Sequence, residues 1–221
     1  MKTLNRILTL AVATCIAALF VKSAFADDIQ PPPWRGQQGT TSQMWEFLQP
    51  INPAPPDGPA PGGLPPLPST HIQVYPVAFG SWIPSDQSGR QGIWPLSGEM
   101  WVTVDNYNLP NPVKYMWAQV TWQNMIGLPP TGPILGSFSP TYATPPGLTA
   151  VGPVSLGAGW YETTFMWEIR PNPQDEFFIL SGNINVDELV IDTYCTPEPA
   201  TFALAGLGVL LLAWRRRTVR G

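Results

Sequence analysis

The sequence predicts an antiparallel β-sandwich, jelly-roll-like, preceded by a proline-rich irregular segment. Three observations lead to this fold class. Short stretches in which apolar and polar residues alternate recur between residues 70 and 195, and a period of two is typical of strands with one buried face. Turns rich in Pro, Gly and Asn separate them, as at 108–112 and 129–133. Outside the two ends of the chain, no segment has a sustained helical period, and short strands joined by such turns favour a sandwich.

Residues 1–26 have the features of a secretory signal peptide. Two basic residues precede an apolar run from Ile7 to Val21, and Ala24-Phe25-Ala26 supplies small residues at both positions that a signal peptidase reads. We therefore expect signal peptidase to cleave after Ala26, so that the exported chain begins at Asp27.

Residues 27–69 are predicted to be irregular. They contain Pro31-Pro32-Pro33 and a denser tract from Pro50 to Pro68. Proline removes a backbone donor and biases its predecessor away from the helical region, so neither helix nor sheet is expected at this density. Between the tracts, Met44 to Leu48 could form a short helical turn. We interpret the segment as a spacer or as a strap over the domain, in preference to a ligand for a proline-binding partner.

The domain at residues 70–195 contains several predicted strands. The first is interrupted by Pro76, which suits an edge position, and the run that starts at Val113 is apolar on both faces. In order, the segments are His71–Phe79, Glu99–Val104, Val113–Trp122, Trp160–Ile169 and a closing hairpin of Glu176–Leu180 and Ile184–Tyr194. Buried large apolar side chains contribute about 1.5 to 3 kcal/mol each. The predicted core includes Trp167, Phe177, Phe178, Leu189 and Ile191.

The charge of the exported part excludes one class of partner. Between Asp27 and Pro199, four basic residues face 15 acidic ones, which gives a formal net charge of −11. Nucleic acids and anionic lipids are bound by neutralising phosphates with Lys and Arg. We therefore expect no nucleic acid partner.

Few residues could support catalysis, and no catalytic residue is predicted. His71 is the one histidine, and no nucleophile motif surrounds it. Glycosidases need two carboxylates about 5 to 9.5 Å apart, whereas Glu162 and Glu168 would lie roughly 20 Å apart along one strand. A pair of Glu99 with either of them across strands stays open. We expect a protein that is not an enzyme and has no cofactor, with the exception discussed next.

Clustered acids around the closing hairpin are candidates for a calcium site. Oxygen-rich clusters suit this hard cation, although the sequence has no spaced calcium-loop motif and the alternative is that these charges are solvated. The candidate ligands are Asp175, Glu176, Asp187, Glu188 and Asp192.

Tryptophan is abundant, since nine of the ten lie in the exported part. Exposed indole rings can stack on sugars, because they combine apolar area with a polar edge. The candidates are Trp82 and Trp94 in connections and Trp160 on the polar face of its strand. The alternative is that the tryptophans fill the core and cover its ends.

The last residues, 196–221, have three parts. Pro197-Glu198-Pro199 comes first, then the uncharged run from Ala200 to Trp214, then a basic end with Arg215, Arg216 and Arg217. As a helix the run spans about 22 Å, short of the roughly 30 Å hydrocarbon core. The arginines would stop transfer and remain cytoplasmic. Cys195, the one cysteine left after signal cleavage, would lie in a stalk before this tail, either unpaired or bridged to another molecule.

This tail resembles the PEP-CTERM sorting signal, through Pro197, Glu198 and Pro199, the short hydrophobic helix and the Arg-rich end. The resemblance implies recognition and cleavage by an exosortase and transient residence of the C-terminal helix in the inner membrane. It also implies a bacterial protein at the cell surface or outside the cell, linked to exopolysaccharide or biofilm. We therefore expect an exported non-catalytic surface or matrix protein. The alternatives are a carbohydrate-binding module that uses exposed tryptophans, a secreted hydrolase, or a permanent tail anchor.

Overall fold

The described residues of the computed structural model are 27–65, 70–75, 82–105, 113–139, 147–170 and 175–196, and they contain strands but no helix. The predicted signal peptide and nearly all of the sorting tail lie outside them. The strands, in chain order, are β1 (Thr40–Trp45), β2 (His71–Tyr75), β3 (Ile83–Ser85), β4 (Gln91–Leu96), β5 (Glu99–Asp105), β6 (Val113–Asn124), β7 (Ile134–Ser139), β8 (Thr149–Gly157), β9 (Trp160–Ile169), β10 (Asp175–Ser181) and β11 (Ile184–Thr196).

The strands form two antiparallel sheets. The large sheet has the order β3-β4-β11-β6-β9-β8, and the small sheet has the order β2-β5-β10-β7. β6 pairs with β11 along its whole length, from Ile184 to Thr196. The other edge of β11 is shared, because β4 pairs with residues 184–186 and β1 with residues 189–194. β11 is therefore the central strand of the domain.

The strand order confirms the predicted sandwich and has the character of a jelly roll. The chain alternates between the two sheets in β4, β5, β6 and β7. β10 then lies between β5 and β7 in the small sheet, and β11 lies between β4 and β6 in the large sheet. This wrapping is what two interlocked Greek keys produce. β8 departs from the alternation, because it pairs with β9 in the large sheet.

The core lies between the two sheets. Trp167 of β9 meets Phe178 of β10 edge to face, with ring centroids 5.5 Å apart. The buried set also includes Met100, Val102, Met116, Val120, Leu180, Leu189 and Ile191. The prediction that Phe177 is a core residue is wrong, because it is half-buried on the opposite face of β10 from Phe178. One bulge between Val186 and Glu188 lets both Val186 and Leu189 face the core.

The N-terminal segment is more ordered than the sequence predicts. Thr40–Trp45 forms β1, so the predicted helical turn at Met44 to Leu48 is wrong, and the segment is not irregular throughout. Upstream of β1, residues 27–39, called the strap below, cross the outer face of the large sheet. Trp34 of the strap stacks on Tyr194 at 5.6 Å.

The proline-rich tract that follows lies beside β1. The N–H groups of Met44 and Ser42 donate to the carbonyl oxygens of Gly58 and Leu64, at 2.9 and 3.0 Å. In return, the N–H of Asp57 donates to the carbonyl oxygen of Met44 at 2.8 Å, so the tract both accepts hydrogen bonds from β1 and donates one to it along this side. Its position agrees with the interpretation as a strap rather than as a free spacer.

The predictions for the strands and for Cys195 have mixed outcomes. β2 is an edge strand, as expected, although residues 76–79 of the predicted segment lie outside the described residues, and β5, β6, β9 and the closing hairpin form. The sequence patterns do not predict β1, β3, β4, β7 or β8. The predicted stalk around Cys195 is wrong, because this residue is buried in β11 and its N–H donates to the carbonyl oxygen of Gly39 at 3.0 Å.

Candidate functional site

The outer face of the small sheet carries a group of aromatic rings. Trp101 on β5 has 37% of its surface exposed. Its ring centroid lies 4.8 Å from that of Tyr75 on β2 and 5.3 Å from that of Phe177 on β10. Tyr75, Trp101 and Phe177, called the aromatic patch below, therefore extend across three adjacent strands.

Polar side chains border the aromatic patch. The indole Nε1–H of Trp101 donates to Glu99 Oε2 at 2.8 Å. In the strand register, Gln73 lies opposite Trp101 and Tyr75 lies opposite Glu99. Planar rings beside hydrogen-bonding groups can combine apolar contact with polar recognition. The sequence predicts this chemistry at Trp82, Trp94 and Trp160 instead.

The structure buries two of the three tryptophans that the sequence suggests and partly buries the third. Trp94 and Trp160 have only 4% and 1% of their surface exposed, so the prediction that their rings are available for stacking is wrong. Trp82 is half-buried and its Nε1–H donates to the carbonyl oxygen of Phe47 at 2.7 Å. Trp160 does lie on the polar face of β9, but Arg90 covers its ring at 5.0 Å.

The exposure of Trp101 can be predicted from the sequence. Met100, Val102 and Val104 alternate along β5 and all are fully buried. A period of two then requires Trp101 to point away from the core. The strand alternation is therefore a better guide to exposure here than the occurrence of a tryptophan in a turn-rich connection.

A second feature is an acidic cavity of about 560 Å³ beside the bulge of β11. It lies where β4 ends its pairing with β11 and β1 begins. Four carboxylates and one guanidinium line it, together with the ring of Trp160, and its charged residues are Asp27, Glu46, Arg90, Asp187 and Glu188.

Arg90 is the basic group of this cavity and is shared between two acids. It forms ion pairs with Asp27 and with Asp187, the latter at 2.5 Å. Burial raises the pKa of Asp187 to about 6, although its pairing with Arg90 opposes this shift. Burial also raises the pKa of Glu188 to about 9, and repulsion from Asp27, Asp187 and Glu46 adds to the effect. The cavity is thus rich in carboxylates that resist ionisation.

The strap supplies backbone donors to buried carboxylates beside this cavity. The N–H of Asp27 donates to Glu188 Oε2 at 2.7 Å, and the N–H of Ile29 donates to Glu162 Oε2 at 3.3 Å. The second oxygen of each acid is buried and has no hydrogen-bond partner within the described part of the chain. Burial accordingly raises the pKa of Glu162 to about 7. Buried polar atoms are usually satisfied, so these two oxygens are unusual.

The acids that were predicted to bind calcium are dispersed. Each ionic contact is made with a different base: Glu176 pairs with Lys114, Asp192 with Arg35 and Asp187 with Arg90. Among the described residues, no group of three or more His, Cys, Asp or Glu side chains could hold a metal ion. The described side chains therefore do not support the predicted cluster of Asp175, Glu176, Asp187, Glu188 and Asp192.

The carboxylate pair that the sequence left open is also separated. Glu99 lies on the outer face of the small sheet, whereas Glu162 and Glu168 lie on β9 in the large sheet. Their side chains alternate with Phe165 and Trp167, which are in the core, so they point to the opposite outer face. The sandwich stands between Glu99 and either partner.

The C-terminal tail follows the central strand without an intervening segment. β11 ends at Thr196, whose backbone pairs with Val113, and Pro197 is the next residue. Pro197, Glu198, Pro199 and the arginines at 215–217 lie outside the described residues, as does the predicted transmembrane run. In the ranges that are described, no helix is long and apolar enough to cross a membrane.

Comparison with known proteins identifies this tail. Residues 196–217 match the family model described as the PEP-CTERM protein-sorting motif. No match is found among curated proteins or solved structures. The motif implies an exosortase as processing partner and a location at the cell surface or outside the cell. The described part of this chain is therefore an all-β sandwich, and the chain carries a PEP-CTERM sorting motif at residues 196–217.

Proposed function

We propose that this protein is a non-catalytic component of the bacterial cell surface or extracellular matrix, associated with exopolysaccharide. The observation that carries the proposal is the sorting motif at residues 196–217. Signal peptidase would remove residues 1–26 during export, and the C-terminal helix would hold the chain in the inner membrane until an exosortase acts.

The position of the motif suits such processing. Thr196 is the last residue of β11, and the motif residues Pro197, Glu198 and Pro199 follow it directly. Cleavage there would remove no strand of the described domain, so the sandwich would remain whole. The net charge of the exported part, with four bases against 15 acids, favours a soluble product that does not bind anionic lipid.

The test is the intact mass of the protein from each cell fraction of its host. A chain that begins at Asp27 and ends between Pro197 and Ala200 is expected in the surface or extracellular fraction. Additional mass would identify attachment to a lipid or glycan. A membrane-bound chain that extends to Gly221 would contradict the proposal and indicate a permanent tail anchor.

A second candidate function is carbohydrate binding, and the aromatic patch favours it. Trp101 is a large ring exposed on a sheet face, with Tyr75 and Phe177 beside it and Glu99 at its edge. A sugar ring could stack on the indole while its hydroxyl groups bond to Glu99 and Gln73. Trp101 thus takes the place of Trp82, Trp94 and Trp160 as the candidate residue for sugar stacking.

Binding of exopolysaccharide purified from the producing cells would test this candidate by calorimetric titration. Trp101→Ala is expected to weaken the affinity at least about tenfold, which corresponds to 1.4 kcal/mol. Ile126→Ala is the matched control, because Ile126 is a fully exposed apolar residue elsewhere. Equal affinities of W101A and the unmodified protein would exclude the aromatic patch as the site.

A further inference from the structure

Glu188 in the acidic cavity is an acid whose partners are incomplete. It exposes 5% of its surface, and its Oε1 atom has no hydrogen-bond partner among the described residues. The acids that raise its pKa by repulsion are Asp27, Glu46 and Asp187. Arg90, the base of the cavity, is engaged by Asp27 and Asp187. A buried carboxylate without a counter-charge is strongly unfavourable, so Glu188 keeps its proton unless a cation is placed beside it, and a cationic donor would stabilise its ionised form.

The backbone of Asp27 already occupies the donor position. Its nitrogen lies 2.7 Å from Glu188 Oε2, and its side chain is held by the ion pair with Arg90. Two independent contacts therefore fix the residue that the sequence predicts as the first after signal cleavage. A peptide N–H offers one donor and no charge. A free α-amine, with an ordinary pKa of about 7.7 to 8.0, is instead a cation at neutral pH and has three donors.

We infer that removal of the signal peptide creates an α-ammonium at Asp27 that forms a buried ion pair with Glu188 and so completes the fold of the mature protein. The inference rests on the proposed export of the chain. It adds a binding site for the protein's own N-terminus and makes the processing position structurally significant. Before cleavage the pair is absent, so the precursor is less stable than the exported product.

A neighbouring acid provides an internal control. Glu162 is also buried, with 1% of its surface exposed against 5% for Glu188, and its Oε1 atom also has no partner in the described region. Its donor, however, is the N–H of Ile29, which remains a peptide N–H after cleavage at Ala26. Replacing Glu162 should therefore have the same effect in the precursor and in the mature chain.

The experiment compares two detergent-solubilised chains that both end at Gly221. One begins at Asp27, released from a fusion by a protease that leaves no extra residue, and the other retains Ala26. At pH 7 the chain that retains Ala26 is expected to melt at least about 5 °C lower, since breaking a buried pair is costly and a protein of this size is sensitive to such a loss. Each chain is also prepared as Glu188→Gln and as Glu162→Gln.

The pattern across the variants decides the inference. The difference in Tm between the two chains should disappear in E188Q and persist in E162Q. Equal Tm values for the two unmodified chains, or a difference that survives in E188Q, would overturn the ion pair. Because Gln is nearly isosteric with Glu, E188Q should fold in both forms.

The dependence on pH adds a second criterion. The α-ammonium gains a partner on folding, so its contribution is present below pH 8 and is lost as pH rises through its elevated folded-state pKa. The other charged side chains of the cavity are identical in the two chains; those that face Glu188 are Asp27, Glu46, Arg90 and Asp187. A difference in Tm that stays constant from pH 7 to pH 11 would contradict a charged N-terminus.

The N-terminal peptide of the exported protein completes the test. Mass spectrometry is expected to show Asp27 as the first residue. An exported chain that begins at another residue would overturn this inference and leave the proposed function intact. A chain that is found outside the membrane fraction and still contains residues 1–26 would instead contradict the export route itself.

Discussion

Loss of the ion pair between Lys114 and Glu176 should destabilise the domain strongly. Lys114 lies on β6 of the large sheet and Glu176 on β10 of the small sheet, and their exposed fractions are 0% and 1%. Along their strands they share a face with Met116 and Phe178, which belong to the core. The two charges therefore meet between the sheets, where water does not reach them.

The perturbation is Glu176→Gln, which preserves shape and removes the charge opposite Lys114. Removing one partner of a buried pair costs about 3 to 5 kcal/mol, because the remaining charge stays desolvated. Since 1 kcal/mol shifts Tm by about 2 to 4 °C in a domain of this size, the expected fall is about 6 to 20 °C. Urea unfolding should show a lower midpoint with an unchanged m-value.

The double variant Lys114→Met with Glu176→Met is the control. Replacing both charges by apolar groups is expected to be neutral or stabilising by about 1 to 4 kcal/mol. A loss below about 1 kcal/mol in E176Q would refute the reasoning, because it would mean that the Lys114 ammonium reaches water. A double variant as unstable as E176Q would refute it as well, since the cost would then lie in packing rather than in an unpaired charge.

Three other predictions concern the core, pH and calcium. Trp167→Ala should cost about 3 to 5 kcal/mol, because Trp167 is 4% exposed and packs on Phe178; an unchanged Tm would show that the ring contributes little. Stability should be higher at pH 5 than at pH 8, since burial raises the pKa of Glu162 to about 7 and the folded chain retains a proton that the unfolded chain releases. Glu162→Gln should flatten that slope in thermal melts, and an identical slope would assign it to other groups. Millimolar calcium should leave Tm unchanged, because Glu176, Asp187 and Asp192 each pair with a different base and no described group of three such side chains could hold a metal ion; a rise of several degrees that a chelator reverses would restore a calcium site.

Alternation along single strands predicted much of the sandwich. The run from Val113 to Trp122 is apolar on both faces, and in the structure β6 is covered on both sides. One of these faces is apolar because it packs in the core. The other is explained by the strap, which puts Trp34 against Trp117 with ring centroids 6.3 Å apart. A strand pattern that is apolar on both faces was therefore a correct sign of a covering segment.

The strand β1 could not be recognised in the same way. Thr40–Trp45 is mostly polar and stands between two proline tracts, so neither period nor composition favours a strand. Its pairing with β11 joins residues about 150 positions apart, such as Thr41 and Thr193. Their hydroxyl groups are 2.7 Å apart and buried. Polar side chains that satisfy one another across a sheet have no signature in a single stretch of sequence.

The charged residues show the same limit. Asp187 and Glu188 are neighbours in the sequence and line the same cavity, but their contacts have different partners. Asp187 contacts Arg90, and Glu188 contacts the backbone of Asp27. The partners come from the strap and from the residue that precedes β4. The clustering of acids in the sequence therefore predicted a metal site, whereas in the folded protein Asp187 and Glu188 contact different partners from distant parts of the chain.

The end of β11 at Thr196 has a mechanical consequence. If the processed C-terminus is joined to a fixed surface, any pull on the domain enters along the axis of this strand. β6 and β1 lie antiparallel to it on its two sides, with register pairs from Ile184 to Thr196 and from Leu189 to Tyr194. A force along the axis loads these ladders in shear, so their hydrogen bonds must break together rather than one after another. The strand that connects the domain to its anchor is thus also the one best placed to bear a load.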